Sequence, residues 1–485
     1  MEIESLRKST LTGVFWKFFE RIFAQLVSLI VSIVLARILG PEHYVSIGIV
    51  TIFFNFGNVI ITGGLNTALI QKKEADPEDY SSVLCMSLIL SIIVYLLLFF
   101  FSPLIAKLYN REELILIFRV MGIVLIVNSV KSVFSAYVSN KMQFKKFFFV
   151  TLVGTSCSAV VGIVLALKGF GTWALVFQQM SVAIIDTVML GVFSGIRLRI
   201  QCSLERVKRL FKFGIGMFSA SVISAVYEEA SPLIIGLKFS PTHLSFYDKG
   251  KSFPSLINSA CNDTLTAVLF PAMAKVQDNK EMILSFTRRF IKVSSFFVFP
   301  IMIGFFCIAE NFVMVLLSEK WMPSVIYIRI FCIGYLLNFI QTGNLQAIKA
   351  IGRSDIILKL EIIKKCIYTA VLLVVVLCAK SPVSLAIVMV INTCFATIVN
   401  TYPNKKLIGY RYMYQVKDVF PNLVLACIMG ICVSVVTLLP VAREIELFIQ
   451  ILIGVIVYIG VGAFVRNDSL LYLFALMKKM RGEHV

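Results

Sequence analysis

The sequence is poor in charged residues and has no long polar stretch that could form a separate soluble domain. Only 15% of its 485 residues are charged, whereas about a quarter are charged in soluble globular domains. At the same time 59% are hydrophobic, which is more than a soluble fold can hide behind a polar surface. This composition excludes an ordinary soluble protein and indicates an integral membrane protein.

Metal-binding and disulfide patterns are also missing. The 11 cysteines are scattered singly, mostly in apolar runs, and none forms a Cys-x-x-Cys pair. The three histidines, His43, His243 and His484, are too far apart for a zinc or haem motif. We therefore expect no metal site and no cofactor. The polar N-terminus leads into a full-length apolar segment without a cleavage motif, so we expect no removable signal peptide.

Charge of one sign is in excess, with a formal net charge of +19. In a soluble protein this would suggest a nucleic-acid partner. In so apolar a chain, the anionic cytoplasmic face of a membrane explains it better, and we expect membrane lipids and no nucleic acid as partners.

Apolar stretches long enough to cross hydrocarbon recur along the chain with short polar breaks between them. They predict an all-α, polytopic membrane protein with about fourteen transmembrane helices. Charged residues interrupt the eighth and eleventh stretches, which are the weakest. The predicted spans are residues 14–35, 44–66, 81–106, 114–138, 147–167, 172–193, 214–236, 245–272, 290–316, 325–348, 355–379, 383–400, 419–439 and 446–465.

The distribution of Lys and Arg between alternate connections predicts the orientation. With the N-terminus inside, the inner segments hold 27 of the 46 basic residues and the outer connections hold 8. Cytoplasmic loops of membrane proteins carry such an excess. Both termini are therefore predicted to face the cytoplasm.

A weak repeat relates the two halves of the chain. Pro41 and His43 recur as Pro241 and His243, and the segment 64–70 resembles 264–270 at the same offset. Two parallel six-helix lobes and two further C-terminal helices follow from this pattern, which is typical of transporters. The predicted division is 1–196 for the first lobe, 197–213 for a cytoplasmic linker, 214–405 for the second lobe and 406–485 for the extra helices and tail.

Polar residues in four predicted spans recur every three or four positions and so share one helix face. Such stripes either bond neighbouring helices together or line a water-filled cavity. Their recurrence on the first two helices of each lobe favours a central cavity. The stripe residues we single out as candidate substrate contacts are Gln25, Asn55, Asn58 and Asn262.

Charged residues lie within the same spans, although a charge at the bilayer centre costs about 2.5–3.5 kcal/mol on insertion scales. Basic side chains at several depths fit the passage of an anionic group such as phosphate or pyrophosphate. The candidate basic residues are Lys17, Arg21, Lys131, Lys249 and Lys364. Intramembrane carboxylates serve either proton or sodium coupling or structural salt bridges, and the candidates here are Asp186, Glu228 and Asp263.

Several motifs occur in order at matching topological points. They include Leu35-Ala36-Arg37-Ile38-Leu39-Gly40-Pro41, the block GFGTWALVFQQM that starts at Gly169, and Leu269-Phe270-Pro271. On these residues the chain resembles polysaccharide-transport flippases, the Wzx-like and teichuronic-acid exporter-like branch of the multidrug/oligosaccharidyl-lipid/polysaccharide exporter superfamily.

The resemblance implies a location in the bacterial cytoplasmic (inner) membrane. It also implies movement of an undecaprenyl-pyrophosphate-linked oligosaccharide to the outer leaflet, for surface polysaccharide such as O-antigen or lipopolysaccharide. The basic residues would attend the pyrophosphate, the polar stripes would solvate the sugars, and a glycan polymerase would be a partner. The alternatives are a cation-coupled multidrug exporter of the same superfamily and a membrane glycan polymerase. The short outer connections argue against the polymerase and against an enzyme of any kind.

The topology is testable by labelling. Single cysteines placed at residue 205 and in the C-terminal tail are expected to be shielded from impermeant maleimide in intact cells and to react after permeabilisation. A cysteine at Lys168, in a predicted outer connection, is the control that should react in both conditions. Labelling at 205 in intact cells would contradict the fourteen-span arrangement.

Overall fold

Helices make up all regular structure in the described part of the chain. The computed structural model describes residues 2–471 apart from 63, 72–74, 142, 197, 200, 275, 277 and 278. Twelve helical segments of this part are long and apolar enough to cross a membrane. The predicted all-α, polytopic membrane architecture is confirmed.

The chain divides into two compact units, residues 1–245 and 246–485. The first unit holds eight helices and the start of a ninth. Their bounds are α1 Glu2–Ile38, α2 Pro41–Thr62, α3 Leu65–Gln71, α4 Pro77–Leu108, α5 Glu113–Asn140, α6 Phe144–Leu167, α7 Thr172–Ser194, α8 Leu204–Lys238 and α9 Pro241–Ala274.

The second unit holds the rest of α9 and eight more helices. Their bounds are α10 Lys280–Phe312, α11 Val325–Tyr335, α12 Asn338–Ala350, α13 Ser354–Cys378, α14 Val383–Thr401, α15 Asn404–Leu407, α16 Tyr412–Val435 and α17 Arg443–Phe464. A π turn at Val313–Leu317 and a 3-10 turn at Glu319–Ser324 connect α10 to α11.

Each of the fourteen predicted spans coincides with a helix or a helix pair. Two of them, α9 and α13, are not among the twelve apolar segments, and they are the two that charged residues interrupt. In α13 these are Glu361, Lys364 and Lys365. The full count of fourteen and the lobe boundary at 197–213 stay predictions.

The repeated Pro-x-His motif has a structural counterpart in each half. Pro41 is the first residue of α2 and Pro241 the first residue of α9. Proline is favoured there because the first helical N–H has no intrahelical partner to lose. The prolines place a helix start at the same point of each half of the repeat.

Large apolar side chains remain exposed along the predicted spans. Examples are Phe100, Leu167, Val192 and Leu377, each at least 70% exposed. A water-soluble protein would not carry so much exposed apolar surface, whereas a bilayer solvates it. The exposed side chains therefore mark lipid-facing positions.

The start of α8 is bound to the start of α4 by side-chain contacts. Asp76 caps α4, and its side chain and that of Asp79 exchange hydrogen bonds with each other's backbone N–H. Arg206 reaches this helix start from α8, with Nη1 2.6 Å from Asp76 Oδ2 and 3.2 Å from Asp79 Oδ1. Its Nη2 lies 2.7 Å from Glu78 Oε2. One guanidinium thus binds three carboxylates, and we call this group the Arg206 clamp.

The Arg206 clamp makes stability depend on pH. Hydrogen bonds from Arg206 lower the pKa of Asp76 to about 2. Because the folded pKa lies below the ordinary value of 3.8, this stabilisation is present above about pH 4 and is lost as the pH falls towards 2.

Arg206→Gln is therefore expected to lower the thermal unfolding midpoint at pH 7 by a few degrees, with the difference from wild type shrinking as the pH falls from 4 towards 2. Arg209→Gln, one turn further along α8 and exposed, is the matched control and should show neither effect. A midpoint difference that stays constant over this pH range would contradict the clamp. Thermal unfolding of the detergent-purified protein provides the measurement.

Candidate functional site

An ion pair between two helices is the central polar contact of the first unit. Lys131 Nζ on α5 lies 2.6 Å from Asp186 Oδ2 on α7, and the Asp186 side chain is only 11% exposed. A buried carboxylate needs such a partner, because leaving an ion unpaired in an apolar interior is strongly unfavourable. The pair joins two candidate residues, one assigned to the substrate and the other to ion coupling.

Gly154 on α6 makes room for this pair. A Cβ atom at position 154 would lie 1.9 Å from Asp186 Oδ1, which is far inside van der Waals contact. The third helix can therefore approach the ion pair closely only because this position is glycine.

A second carboxylate approaches the same face of α6. Thr151 lies one turn before Gly154, and its hydroxyl donates to Glu20 Oε1 of α1 at 3.2 Å. Positions three apart on a helix share a face. Glu20 of α1 and Asp186 of α7 therefore both lie against the same face of α6. Arg21, which follows Glu20, is exposed.

Two amides of α2 extend the polar surface. Asn128 Nδ2 donates to Asn58 Oδ1 at 3.3 Å, and Asn128 lies one turn before Lys131 on α5. Asn55, one turn before Asn58, donates from Nδ2 to Glu229 Oε1 of α8 at 2.7 Å. Asn55 is exposed and Asn58 half-buried, so both belong to an accessible polar face.

These contacts form one connected set across six helices, which we call the N-terminal polar track. Amides, a hydroxyl, carboxylates and a lysine side by side in an apolar bundle can solvate a polar solute. Its members are Glu20, Asn55, Asn58, Asn128, Lys131, Thr151, Asp186 and Glu229.

Three further candidate residues belong to this unit. Gln25 is half-buried on α1, and the Lys17 side chain lies outside the described residues. Glu228 is exposed, and it is its neighbour Glu229 that bonds to Asn55. Asn128 was not among the candidates predicted from the sequence, although its spacing of three from Lys131 places both on one helix face.

The candidate residues of the second unit have separate local partners. Lys249 is 5% exposed, with Nζ 5.6 Å from the ring centre of Phe253 and 5.5 Å from that of Trp321. Asn262 Nδ2 donates to Asn258 Oδ1 at 2.8 Å. Aromatic faces attract an ammonium group, so the rings hold Lys249 away from bulk water in this conformation.

Lys364 is paired within its own helix. Its Nζ lies 2.6 Å from Glu361 Oε1, and the lysine side chain is 13% exposed. The side chain of Asp263 lies outside the described residues. A cavity lined jointly by Asn55, Asn58 and Asn262 stays a prediction.

Within the described residues, no group of three or more histidine, cysteine or acidic side chains is placed to hold a metal ion. The chemistry available in the N-terminal polar track is hydrogen bonding and charge pairing.

The family model described as polysaccharide biosynthesis protein matches residues 34–326 of the chain. The lipopolysaccharide biosynthesis protein WzxC of Escherichia coli is 21% identical, over 88% of this chain and 89% of its own length. The succinoglycan biosynthesis transport protein ExoT of Rhizobium meliloti is 25% identical, over 59% of this chain and 58% of its own length. The teichuronic acid biosynthesis protein TuaB of Bacillus subtilis is 21% identical, over 62% of this chain and 63% of its own length.

Two solved structures share the fold. The lipid II flippase MurJ in an inward closed conformation superimposes with a TM-score of 0.74, over 94% of this chain and 99% of its own, at 15% identity. An inward-facing multidrug resistance transporter of the MATE family superimposes with a TM-score of 0.64, over 79% of this chain and 94% of its own, at 15% identity.

The ion pair at the centre of the track gives a test of how much the paired charges contribute to stability. Asp186→Asn removes one charge and leaves Lys131 in an apolar setting, so it is expected to lower the stability by roughly 1–3 kcal/mol. The double variant Lys131→Met/Asp186→Asn removes both charges and should recover most of that loss.

Thermal unfolding of the purified wild type, Asp186→Asn and the double variant gives the comparison. Lys364→Met, whose lysine pairs within one helix, is the control for loss of a lysine. If the double variant is as unstable as Asp186→Asn, the contact does not act as a pair.

Proposed function

Because the chain belongs to the polysaccharide biosynthesis protein family, we propose that it is a flippase that carries a lipid-linked oligosaccharide across the bacterial cytoplasmic membrane. The substrate class is an undecaprenyl-pyrophosphate-linked glycan for surface polysaccharide such as O-antigen. Relatives named for lipopolysaccharide, succinoglycan and teichuronic acid synthesis support a polysaccharide precursor and leave the sugar open. The fold of a lipid II flippase supports transport of a lipid-linked head group.

The N-terminal polar track is the observation that carries this proposal. A chain that only needed to pack its helices in lipid could do so with small apolar residues. Here Asn55 is exposed beside Glu229, and the half-buried Asn58 continues the same face. Amide groups bond sugar hydroxyls as donors and acceptors alike, and the track provides them at more than one depth.

Arg21 and Lys17 are proposed to receive the pyrophosphate from the cytoplasmic side. Both lie in the cytoplasmic half of α1 on the predicted topology, and Arg21 is exposed. A guanidinium binds two phosphate oxygens at once, which suits an initial capture step. Gln25, Asn55, Asn58 and Asn262 then solvate the sugars.

Later stages of the cycle are assigned to basic residues of other elements. Lys131 is held by Asp186 and Lys364 by Glu361, so each becomes available to the pyrophosphate only if its carboxylate is neutralised or moves. Lys249 becomes available when the rings of Phe253 and Trp321 part. Such gated cations suit alternating access, in which each state exposes different contacts.

Ion coupling is proposed for Asp186, with Glu228 and Asp263 as further candidates. Protonation of Asp186 would weaken its bond to Lys131, which would then favour a phosphate oxygen. Binding of a proton by Asp186 is thus coupled to binding of the substrate phosphate by Lys131.

A cation-coupled multidrug exporter is the second candidate, supported by the MATE-like fold at a TM-score of 0.64. At 15% identity this likeness concerns the fold alone. The family match favours the flippase, and transport is favoured over enzymatic activity because the named relatives and fold neighbours include transporters and flippases. Both termini inside, and a glycan polymerase as partner, complete the proposal.

Arg21→Ala is expected to abolish or strongly reduce surface glycan while leaving the protein level in the membrane unchanged, because an exposed side chain contributes little to packing. Arg21→Lys should retain part of the activity, since it keeps the charge and loses the two-pronged geometry. Glycan export is measured by surface polysaccharide staining, and protein level by immunoblotting.

Arg443→Ala, which removes an exposed arginine at the start of α17, is the matched control and should export normally. Normal glycan export by Arg21→Ala at normal protein level would overturn the assigned role. Loss of the protein itself would assign Arg21 to the structure instead.

A further inference from the structure

Two adjoining cavities open at one end of α10, α16 and α17. Their volumes are about 430 and 560 Å³, and Arg288, Lys292, Asp468 and Ser469 line both. We call the combined space the C-terminal basic pocket, because basic side chains outnumber acidic ones around it. The charged lining residues are Arg288, Arg289, Lys292, Lys417 and Arg466 against Glu281, Asp418 and Asp468.

Some of these charges already have partners. Arg288 donates from Nε and Nη2 to the two oxygens of Asp418, each at 2.8 Å. The hydroxyl of Tyr410 also donates to Asp418 at 2.8 Å. Lys292 Nζ lies 3.6 Å from Asp418 and 3.5 Å from Asp468. The deeply buried carboxylate is therefore satisfied by the protein itself.

Two basic residues that line the pocket, Lys417 and Arg466, differ from Arg288 and Lys292 in having no such partners within the described residues. In the described part of the chain, neither side chain makes an ion pair or hydrogen bond, and both line the same cavity. Two cations that converge on a space without a carboxylate of their own provide an anion site.

The backbone at Arg466 supports a binding role for its side chain. Its φ is 52°, in the left-handed region that favours glycine. Asn467 fixes this turn, since its side chain accepts from the backbone N–H of Ser469 at 2.9 Å and donates to Asn422 Oδ1 at 2.8 Å. Asn422 in turn donates to Ser295 Oγ at 2.7 Å. An arginine in a backbone conformation that favours glycine costs stability, and this points to a binding role for its side chain.

An apolar groove of about 440 Å³ runs along the same three helices. It begins at Phe296, one turn from Lys292, and continues along α10 to Ile308, about 18 Å at 1.5 Å per residue. That length is close to one leaflet of a hydrocarbon core about 30 Å thick. Gly304 keeps the groove open, because a Cβ there would meet only the Met429 methyl at 3.5 Å.

We propose that the C-terminal basic pocket and this groove together bind a bilayer phospholipid with an anionic headgroup. Its phosphate binds Lys417 and Arg466, with Lys292 beside them, and an acyl chain lies in the groove. On the predicted topology the pocket faces the cytoplasmic leaflet, where anionic lipids attract basic residues. This lipid is a resident of the second unit and is distinct from the proposed cargo. A free phosphate ion would satisfy the pocket but leave the groove empty.

The test uses the full-length protein, delipidated in neutral detergent and titrated with phosphatidylglycerol or phosphatidylethanolamine under native mass spectrometry. We expect preferential binding of phosphatidylglycerol. Lys417→Gln/Arg466→Gly should weaken that binding about thirtyfold, the factor expected from two basic contacts. Glycine adopts the φ of residue 466 without strain, so the variant is expected to fold, and its thermal midpoint in detergent checks this.

Lys141→Gln/Arg209→Gln is the matched control, since both residues are exposed and lie on the same predicted membrane face, and their side chains make no described ion pair or hydrogen bond. It should bind phosphatidylglycerol as the wild type does. Equal binding by wild type and Lys417→Gln/Arg466→Gly would overturn the proposal.

A second variant distinguishes a lipid from a free ion. Gly304→Leu fills the groove and is expected to weaken phosphatidylglycerol binding while Lys417 and Arg466 remain in place. Equimolar inorganic phosphate should fail to displace the lipid from the wild type. Full displacement would assign the pocket to a free phosphate and reject the lipid. Unchanged lipid binding by Gly304→Leu would overturn the placement of an acyl chain in the groove.

Discussion

A charged side chain among lipid-facing helices needs a partner from its own protein, and this constraint organises the first unit. Lys131 and Asp186 lie on different helices and bond at 2.6 Å, so the pair fixes how α5 and α7 are rotated towards each other. Because water is absent from the hydrocarbon core, breaking that contact is more costly than breaking an exposed ion pair. The remaining members of the N-terminal polar track are arranged around it, with Gly154 and Thr151 of α6 close by.

The second unit meets the same constraint mainly with amides. Asn344, Gln415 and Asn404 form a buried hydrogen-bonded group that joins α12, α15 and α16. Asn311 donates to Gln450 at 3.1 Å and so joins α10 to α17. Together with the Arg288–Asp418 pair, these contacts make the last two helices part of the unit's core. The two extra helices of the prediction, α16 and α17, are thus an integral part of the second unit.

Hydropathy predicted the helices because lipid exposure requires long apolar segments, and the residues that form them are local in sequence. The breaks were missed. The predicted span 325–348 consists of two helices, α11 and α12, which meet at Leu336 and Leu337. Hydropathy does not mark this break, since both residues are as apolar as the helices on either side.

Partners were predictable where both residues lie on one helix, and not otherwise. Glu361 and Lys364 are three residues apart, so their bond follows from helix geometry. The Lys131–Asp186 bond spans 55 positions and depends on which helices are neighbours. Likewise, Glu228 and Glu229 differ by one helical step of about 100°, and only packing decides which of them meets Asn55.

The contact between Gly154 and Asp186 also limits how the sequence of this protein can change over time. Any side chain at position 154 would collide with the carboxylate at 186, so the two positions are not independent of each other. Among relatives that keep the acid, position 154 should remain glycine. A larger residue should occur there only in lineages where position 186 has already lost its carboxylate, and the lysine at 131 is then free to be replaced as well.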